Sequence, residues 1–173
     1  MSQPVWIARD YEYCAGCHRC EIACSLHHEK WIWPEASRIR VFRPFPGVEI
    51  PHLCAQCDDY PCVGSCPTHA LSINKETTAV ITDKEKCTGC GTCVDACPGK
   101  VPKLHPETGK ALICDLCEGD PQCVKVCQQA QFNALRLVHQ ETGVDRKLFS
   151  RLPLEVAKDI AVKFFGEKGE EVV

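Results

Sequence analysis

The residues of this chain best suited to chemistry are its cysteines. There are 16 in 173 residues, and they fall into four quartets with none left over. Cys14, Cys17, Cys20 and Cys24 form the first; Cys54, Cys57, Cys62 and Cys66 form the second. Cys87, Cys90, Cys93 and Cys97 form the third; Cys114, Cys117, Cys123 and Cys127 form the fourth. Every quartet opens C-x2-C and closes C-x3-C, and only the middle gap changes, from two residues to four or five. A unit repeated this regularly organises the chain. Thiols so closely spaced are the donors of a soft metal centre.

A cubane [4Fe–4S] core has four iron corners, each taking one thiolate. Cysteines at i, i+3 and i+6 can curl a tight loop over three corners, with backbone N–H groups turned toward the cluster sulfides. In the third quartet, Gly91 to Ala96 then suits a short helical turn. That turn carries the last cysteine onward by roughly 6 Å, at 1.5 Å per residue. Pro98 disfavours α geometry at Cys97 and should stop the turn there. In two-cluster ferredoxins the fourth thiolate serves the other cluster, so Cys97 is expected to complete its neighbour's cube.

Two other chemistries compete. Zinc knuckles use C-x2-C, but two knuckles on one ion are usually separated by a dozen or more residues. The third cysteine at +3 in two quartets and the C-x3-C step in all four fit zinc poorly. A disulfide framework would need an export route. MSQPVWIARD has neither the basic n-region nor the apolar run of a secretory signal, and no stretch approaches a membrane span. The expectation is a cytoplasmic, reducing setting without direct membrane insertion, where cysteine clusters hold metal. A formal charge of −3 gives no basic surface for nucleic acid.

Proline suggests which quartets belong together. Cys66-Pro67 and Cys97-Pro98 match, whereas Ser25 follows Cys24 and Gln128 follows Cys127. Pairing like with like nests the second and third quartets inside the first and fourth. Four ligand sets follow: Cys14, Cys17, Cys20 and Cys127; Cys24, Cys114, Cys117 and Cys123; Cys54, Cys57, Cys62 and Cys97; and Cys66, Cys87, Cys90 and Cys93. Adjacent pairing, first with second and third with fourth, remains the alternative. The elements between fit the nested scheme. Ala70–Ile73 and Ala79–Thr82 read as two short strands around a polar turn. Val5–Ala8 and Ala134–Val138 have strand composition and could join the chain ends.

Residues 53–101, two cysteine clusters around a strand–turn–strand, resemble a bacterial two-cluster ferredoxin. From Tyr11 to Val138 the chain resembles the four-cluster, ferredoxin-like electron-transfer subunits of molybdenum or tungsten pterin oxidoreductases. Relatives include the iron–sulfur subunits of dimethyl sulfoxide reductase-type enzymes and of formate dehydrogenases. CAGCHRCEIACSLHHE and the short chain are most similar to small subunits of tungsten aldehyde oxidoreductases and of class II benzoyl-CoA reductase. The resemblance implies nested ligation and, with no cysteine of the third quartet replaced, four [4Fe–4S] clusters. It also implies a large tungsten- or molybdenum-pterin catalytic partner and a further redox partner such as a ferredoxin or a flavin subunit.

The expected fold is α+β: two nested bacterial two-cluster ferredoxin-like modules organised around four [4Fe–4S] clusters, with a C-terminal helix. The inner module spans 53–101 and the outer 1–30 plus 102–140. Residues 31–52, rich in aromatics and prolines, either cover clusters or dock a partner; Arg38–Phe42 alternates like a half-buried strand. Residues 141–173 form an extension with a helix at 153–165, started by Pro153 and stopped by Gly166. Leu154, Ala157, Ile160, Ala161, Phe164 and Phe165 share its apolar face, and the charged residues beyond should fray.

Four cubes, each formally about −2 when oxidised, call for N–H donors and cations; Arg19, Lys86, Lys100, Lys103 and Lys125 are the candidates near cysteines, each read equally as a solvated surface charge. His18, between Cys17 and Cys20, is read first as a solvated loop residue and second as a donor to cluster sulfur. His27 and His28 are not needed as ligands. No nucleophile–base pair, phosphate-binding glycine loop, dinucleotide fingerprint or C-x3-C-x2-C run is visible, so the chain reads as a non-catalytic carrier of electrons.

Overall fold

The computed structural model describes residues 5–139, 145–171 and 173; the outermost parts of the expected outer module and extension, 1–4 and 140–144, lie outside them. In chain order the elements are β1 (Val5–Arg9), α1 (Arg19–Glu29), β2 (Arg40–Phe45), β3 (Val48–His52), α2 (Pro61–Gly64), β4 (Leu71–Ile73) and β5 (Val80–Thr82). Then follow α3 (Thr92–Ala96), β6 (Lys103–Leu104), β7 (Ala111–Leu112), α4 (Gln122–Gln129), β8 (Leu135–His139) and α5 (Pro153–Phe165). Among the described residues the strands pair two by two, all antiparallel: β1 with β8, β2 with β3, β4 with β5 and β6 with β7. Ribbons this short have little stability of their own, so they must be held by what lies between them.

Each quartet is a loop followed by a helix that carries its third cysteine. α2 and α3 are single turns, because Pro67 and Pro98 follow the last cysteine and oppose α geometry there; Cys97 is extended, with ψ 122°. Ser25 and Gln128 impose no such stop, and α1 and α4 run on past Cys24 and Cys127. These two helices therefore carry their cysteine pairs at i and i+4, on one face.

Cysteine is a core residue here. Cys20, Cys24, Cys114, Cys123 and Cys127 pack with Val5, Ile7, Ile39, Leu53, Leu116 and Leu135 in one cluster. Cys62, Cys87 and Cys93 pack with Leu71, Val80 and Ile113 in a second. A third holds no cysteine: Phe45, Val48 and Ile50 of the β2–β3 hairpin meet Val156, Ala157 and Ala161 of α5.

Two details differ from the sequence reading. The apolar face of α5 turns inward at Val156, Ala157 and Ala161, while Leu154, Phe164 and Phe165 stay exposed. Two alanines let the helix lie close to the hairpin, which leaves the larger rings outside. Gly166–Glu171 do not fray; they form a 3-10 turn folded back on α5. A Cβ at Gly169 would stand 2.4 Å from the Ala161 carbonyl carbon, so only glycine permits that approach.

Candidate metal centres

The four C-x2-C loops share more than cysteine. The residue before the second cysteine is left-handed in every one: Gly16 (φ 63°), Gln56 (φ 53°), Gly89 (φ 73°) and Leu116 (φ 59°). Glycine does this freely, whereas a side chain in this region costs about 1–2 kcal/mol. Two loops accept that cost, so the turn itself is required. Left-handed residues in such turns bring successive N–H groups toward one point, a concavity suited to an anion; in the fourth loop Cys117 and Glu118 are left-handed as well.

The thiols then converge in groups of four drawn from different parts of the chain. Cys14, Cys17 and Cys20 line one small apolar cavity together with Cys127 of α4. Cys114, Cys117 and Cys123 line another with Cys24 of α1. Cys87, Cys90 and Cys93 line a third with Cys66. Three apolar cavities, each lined by the same set of four thiols, point to one repeated occupant. The remaining four are electrostatic neighbours: Cys54 feels Cys62, Cys57 and Cys97, and Cys62 feels Cys97 and Cys57.

Burial pushes the Cys20, Cys54 and Cys62 thiols up to about 12 and Cys117 to about 11, with neighbouring thiols adding to the effect; Cys114 and Cys123 are raised well above the usual value for the same reason. At neutral pH these groups keep their protons unless a metal takes them as thiolates. Backbone N–H groups already address the sulfurs: Arg38 N to Cys24 Sγ at 3.1 Å, Ala70 N to Cys66 and Ala111 N to Cys87 at 3.3 Å, and Gln56 N to Cys54 at 3.4 Å. Soft donors, four to a site, with N–H groups aimed at sulfur, fit an anionic [4Fe–4S] cube. Cys17 and Cys90, in two different groups, are the exposed thiols.

The side chains around these groups differ in part from the sequence reading. Lys86, Lys100 and Lys125 pair instead with the nearby acids Asp83, Asp95 and Asp120, near the surface where their charges are solvated. Arg19 lines the Cys14 cavity. Lys103, lowered to about 8 by burial and then by Arg40, donates to the Glu35 carbonyl. His18 lines the same cavity as Arg19, but its Nδ1 meets Glu21 Oε2 at 2.8 Å. His28, lowered to about 4 by burial and then by Arg38, places Nε2 3.7 Å from Cys117 Sγ. His27, His28 and Cys117 bring their donor atoms within 4.8 Å of one another.

Sequence reasoning missed four residues. Gln56, 0 % exposed, donates to the Cys114 carbonyl at 2.7 Å and accepts from Val80 N at 3.2 Å, tying the second quartet's loop to the fourth's. Ser150 Oγ lies 3.6 Å from Cys97 Sγ. Arg9 and Arg38 are cations set among the cysteine loops: Arg9, five residues before Cys14, reaches instead to the Leu53 carbonyl beside Cys54, and Arg38 lines the Cys24 cavity. Ile39 and Arg38 line the Cys24 cavity and Val41 and Pro51 the Cys14 cavity, so the 31–52 segment abuts two sites.

Small antiparallel ribbons around enclosures of four thiols define a ferredoxin-like iron–sulfur protein. The chain belongs to the 4Fe-4S dicluster domain family, whose model matches residues 48–137. It is 50% identical over 167 residues to the "aliphatic sulfonate oxidoreductase, polyferredoxin-like subunit" of Pyrococcus furiosus, covering 96% of each chain. It is 31% identical over 186 residues to the electron transport protein HydN of Escherichia coli K12, covering 92% of this chain and 98% of that one. A solved structure of the active site complex BamBC of benzoyl coenzyme A reductase with benzoyl-CoA is similar at a TM-score of 0.46 and 25% identity, over 95% of this chain and 93% of that chain. The protein is thus a non-catalytic iron–sulfur electron-transfer subunit of the kind found in oxidoreductase complexes, with 16 cysteines for four [4Fe–4S] clusters. Among the described residues no helix is long and apolar enough to cross a membrane.

Proposed function

We propose that this chain relays single electrons to or from a tungsten- or molybdenum-pterin catalytic subunit of the aldehyde oxidoreductase or benzoyl-CoA reductase type. The ligand sets are nested. Cys14, Cys17, Cys20 and Cys127 hold one cluster, and Cys24, Cys114, Cys117 and Cys123 a second, both in an outer module of 1–30 plus 102–140. Cys54, Cys57, Cys62 and Cys97 hold a third, and Cys66, Cys87, Cys90 and Cys93 a fourth, both in an inner module of 53–101. The observation that carries this reading is Cys127 in the Cys14–Cys17–Cys20 cavity, more than a hundred residues away in sequence. The β1–β8 pairing at the chain ends supports it.

A fully thiolate-ligated cube accepts and releases one electron without opening a coordination position. The protein's residues do the rest. Ile39, Leu53, Leu116 and Leu135 exclude water, the left-handed loop residues aim N–H groups, and the buried thiols give up their protons on loading. The relative named as a subunit of an aliphatic sulfonate oxidoreductase supports a large catalytic partner. A ferredoxin or flavin subunit at the other end completes the path, and the complex is cytoplasmic.

The test is anaerobic isolation of the tagged chain from its source, with iron, acid-labile sulfide, tungsten and molybdenum measured. About sixteen irons per chain and a co-purifying large subunit containing tungsten or molybdenum are expected. A loaded chain that isolates alone would be a free polyferredoxin carrier. A chain lacking iron and sulfide would overturn the reading altogether.

A further inference from the structure

Arg9 ends β1, opposite Leu135 of β8, and is 8% exposed. Its Nη1 donates to the Leu53 carbonyl at 2.9 Å and to the Phe149 carbonyl at 3.3 Å. Nε and Nη2 are fully buried and have no hydrogen-bond partner among the described residues. Among the described residues no carboxylate pairs with the guanidinium. Asp10, Glu12 and Asp159 share a hollow with Arg9, but Asp159 is taken by Arg151, Glu12 by Lys163, and Asp10 accepts from the Glu12 backbone N–H. A buried guanidinium is strongly disfavoured unless an anion compensates it.

The anion is identified by the neighbours. Leu53, which Arg9 grips, precedes Cys54, and the groups that act electrostatically on the guanidinium are Tyr11 first and then the Cys54, Cys114 and Cys57 sulfurs. As thiols these cysteines carry no charge. As ligands of two cubes, each formally about −2 when oxidised, they place negative charge near a guanidinium whose Nε and Nη2 lack partners among the described residues. Cys54 and Cys114 also influence each other, and Gln56 bridges their loops, so the two clusters adjoin at this point.

We propose that Arg9 is the internal counter-cation of two adjoining clusters, that of Cys54, Cys57, Cys62 and Cys97 and that of Cys24, Cys114, Cys117 and Cys123, and that its fixed charge raises their reduction potentials. The inference rests on the ligand sets proposed above. Reduction adds one electron to one cube and breaks no bond. The guanidinium keeps its proton and meets a larger negative charge, so the reduced state gains more from Arg9 than the oxidised state does. Arg9 is a positioning residue for charge along the relay and touches no substrate.

The test compares the full chain, purified anaerobically, with Arg9→Gln, Arg9→Lys and the exposed-charge control Lys168→Gln. Iron and sulfide are counted first, then each preparation is titrated with dithionite while EPR follows the reduced clusters. Arg9→Gln is expected to shift two of the four couples to lower potential. At the wild-type midpoints the reduced-to-oxidised ratio should fall by about tenfold, which is about 59 mV for a one-electron couple. Arg9→Lys keeps the charge and most of the potential, and Lys168→Gln moves nothing. Loaded Arg9→Gln with four unmoved couples, or equal shifts in the Gln and Lys variants, would overturn the assignment. Should Arg9→Gln fail to load, loading by Arg9→Lys supports the charge, and failure of both assigns the position to shape and overturns it. A wild-type chain without iron would instead defeat the cluster reading itself.

Discussion

Gly89 and Gly91 flank Cys90, and both are left-handed, at φ 73° and 80°. Alanine at either site pays about 1–2 kcal/mol for that conformation. Their surroundings then separate them. A Cβ on Gly91 meets nothing within 4 Å, whereas a Cβ on Gly89 would lie 2.4 Å from the Gly109 carbonyl oxygen. That oxygen belongs to the turn between β6 and β7, which is pinned where the Lys110 ammonium meets the Cys87 carbonyl and where Ala111 N reaches Cys87 Sγ at 3.3 Å. Making room for the methyl group pushes this turn off Cys87. Losing two such bonds, at about 0.5–1.5 kcal/mol each, brings Gly89→Ala to about 2–5 kcal/mol. The loss falls on the ligand loop of one cluster. Gly89→Ala should therefore purify with about four fewer irons than the roughly sixteen of four cubes, and with a lower denaturation midpoint. Gly91→Ala should keep full iron and lose about 1–2 kcal/mol. Iron analysis and anaerobic urea titration, followed by the visible absorbance, decide the matter. Equal iron and equal midpoints in the two variants would refute the close approach and the reasoning built on it.

Three further outcomes are expected. Cys24→Ser should disturb the cluster of Cys114, Cys117 and Cys123 and spare that of Cys54, as read by EPR; damage to the Cys54 cluster would restore adjacent pairing. Gln56→Leu leaves the Cys114 carbonyl and the Val80 N–H buried without partners, which costs about 2–6 kcal/mol; an unchanged urea midpoint would show that neither bond matters. Truncation after Arg151 removes α5 from Phe45, Val48 and Ile50 but leaves Ser150 beside Cys97, so thermal stability should fall while iron stays near full. Loss of iron on truncation would mean that the helix shields a cluster.

The sequence made the cysteine-bearing elements legible because their chemistry is local. The proline after Cys97 told where α3 stops, strand composition placed β1 and β8, and the polar turn between β4 and β5 placed that pair, each to within a residue or two. The cations were not legible, since proximity in sequence picked Lys86, Lys100 and Lys125, which pair with acids a few residues away. Arg9 and Arg38 reach the cysteine loops through tertiary folding, and no spacing rule marks them. Gln56 and Leu116 carry no signal at all, because their left-handed backbones occupy a position where the other two loops use glycine. The inward face of α5 was half visible: periodicity found the helix, but the choice of Val156 over Leu154 depends on the hairpin it meets.

The pairing of β1 with β8 sets a timetable for biosynthesis. Val5 leaves the ribosome early, yet its partner His139 follows only on the order of ten seconds later at 5–20 residues per second. Until then Cys14, Cys17 and Cys20 lack the α4 sulfur that shares their cavity. Cys54 to Cys97 emerge as a contiguous stretch in the meantime, so maturation would proceed from the middle of the polypeptide outward, with the earliest-made thiols waiting longest for iron.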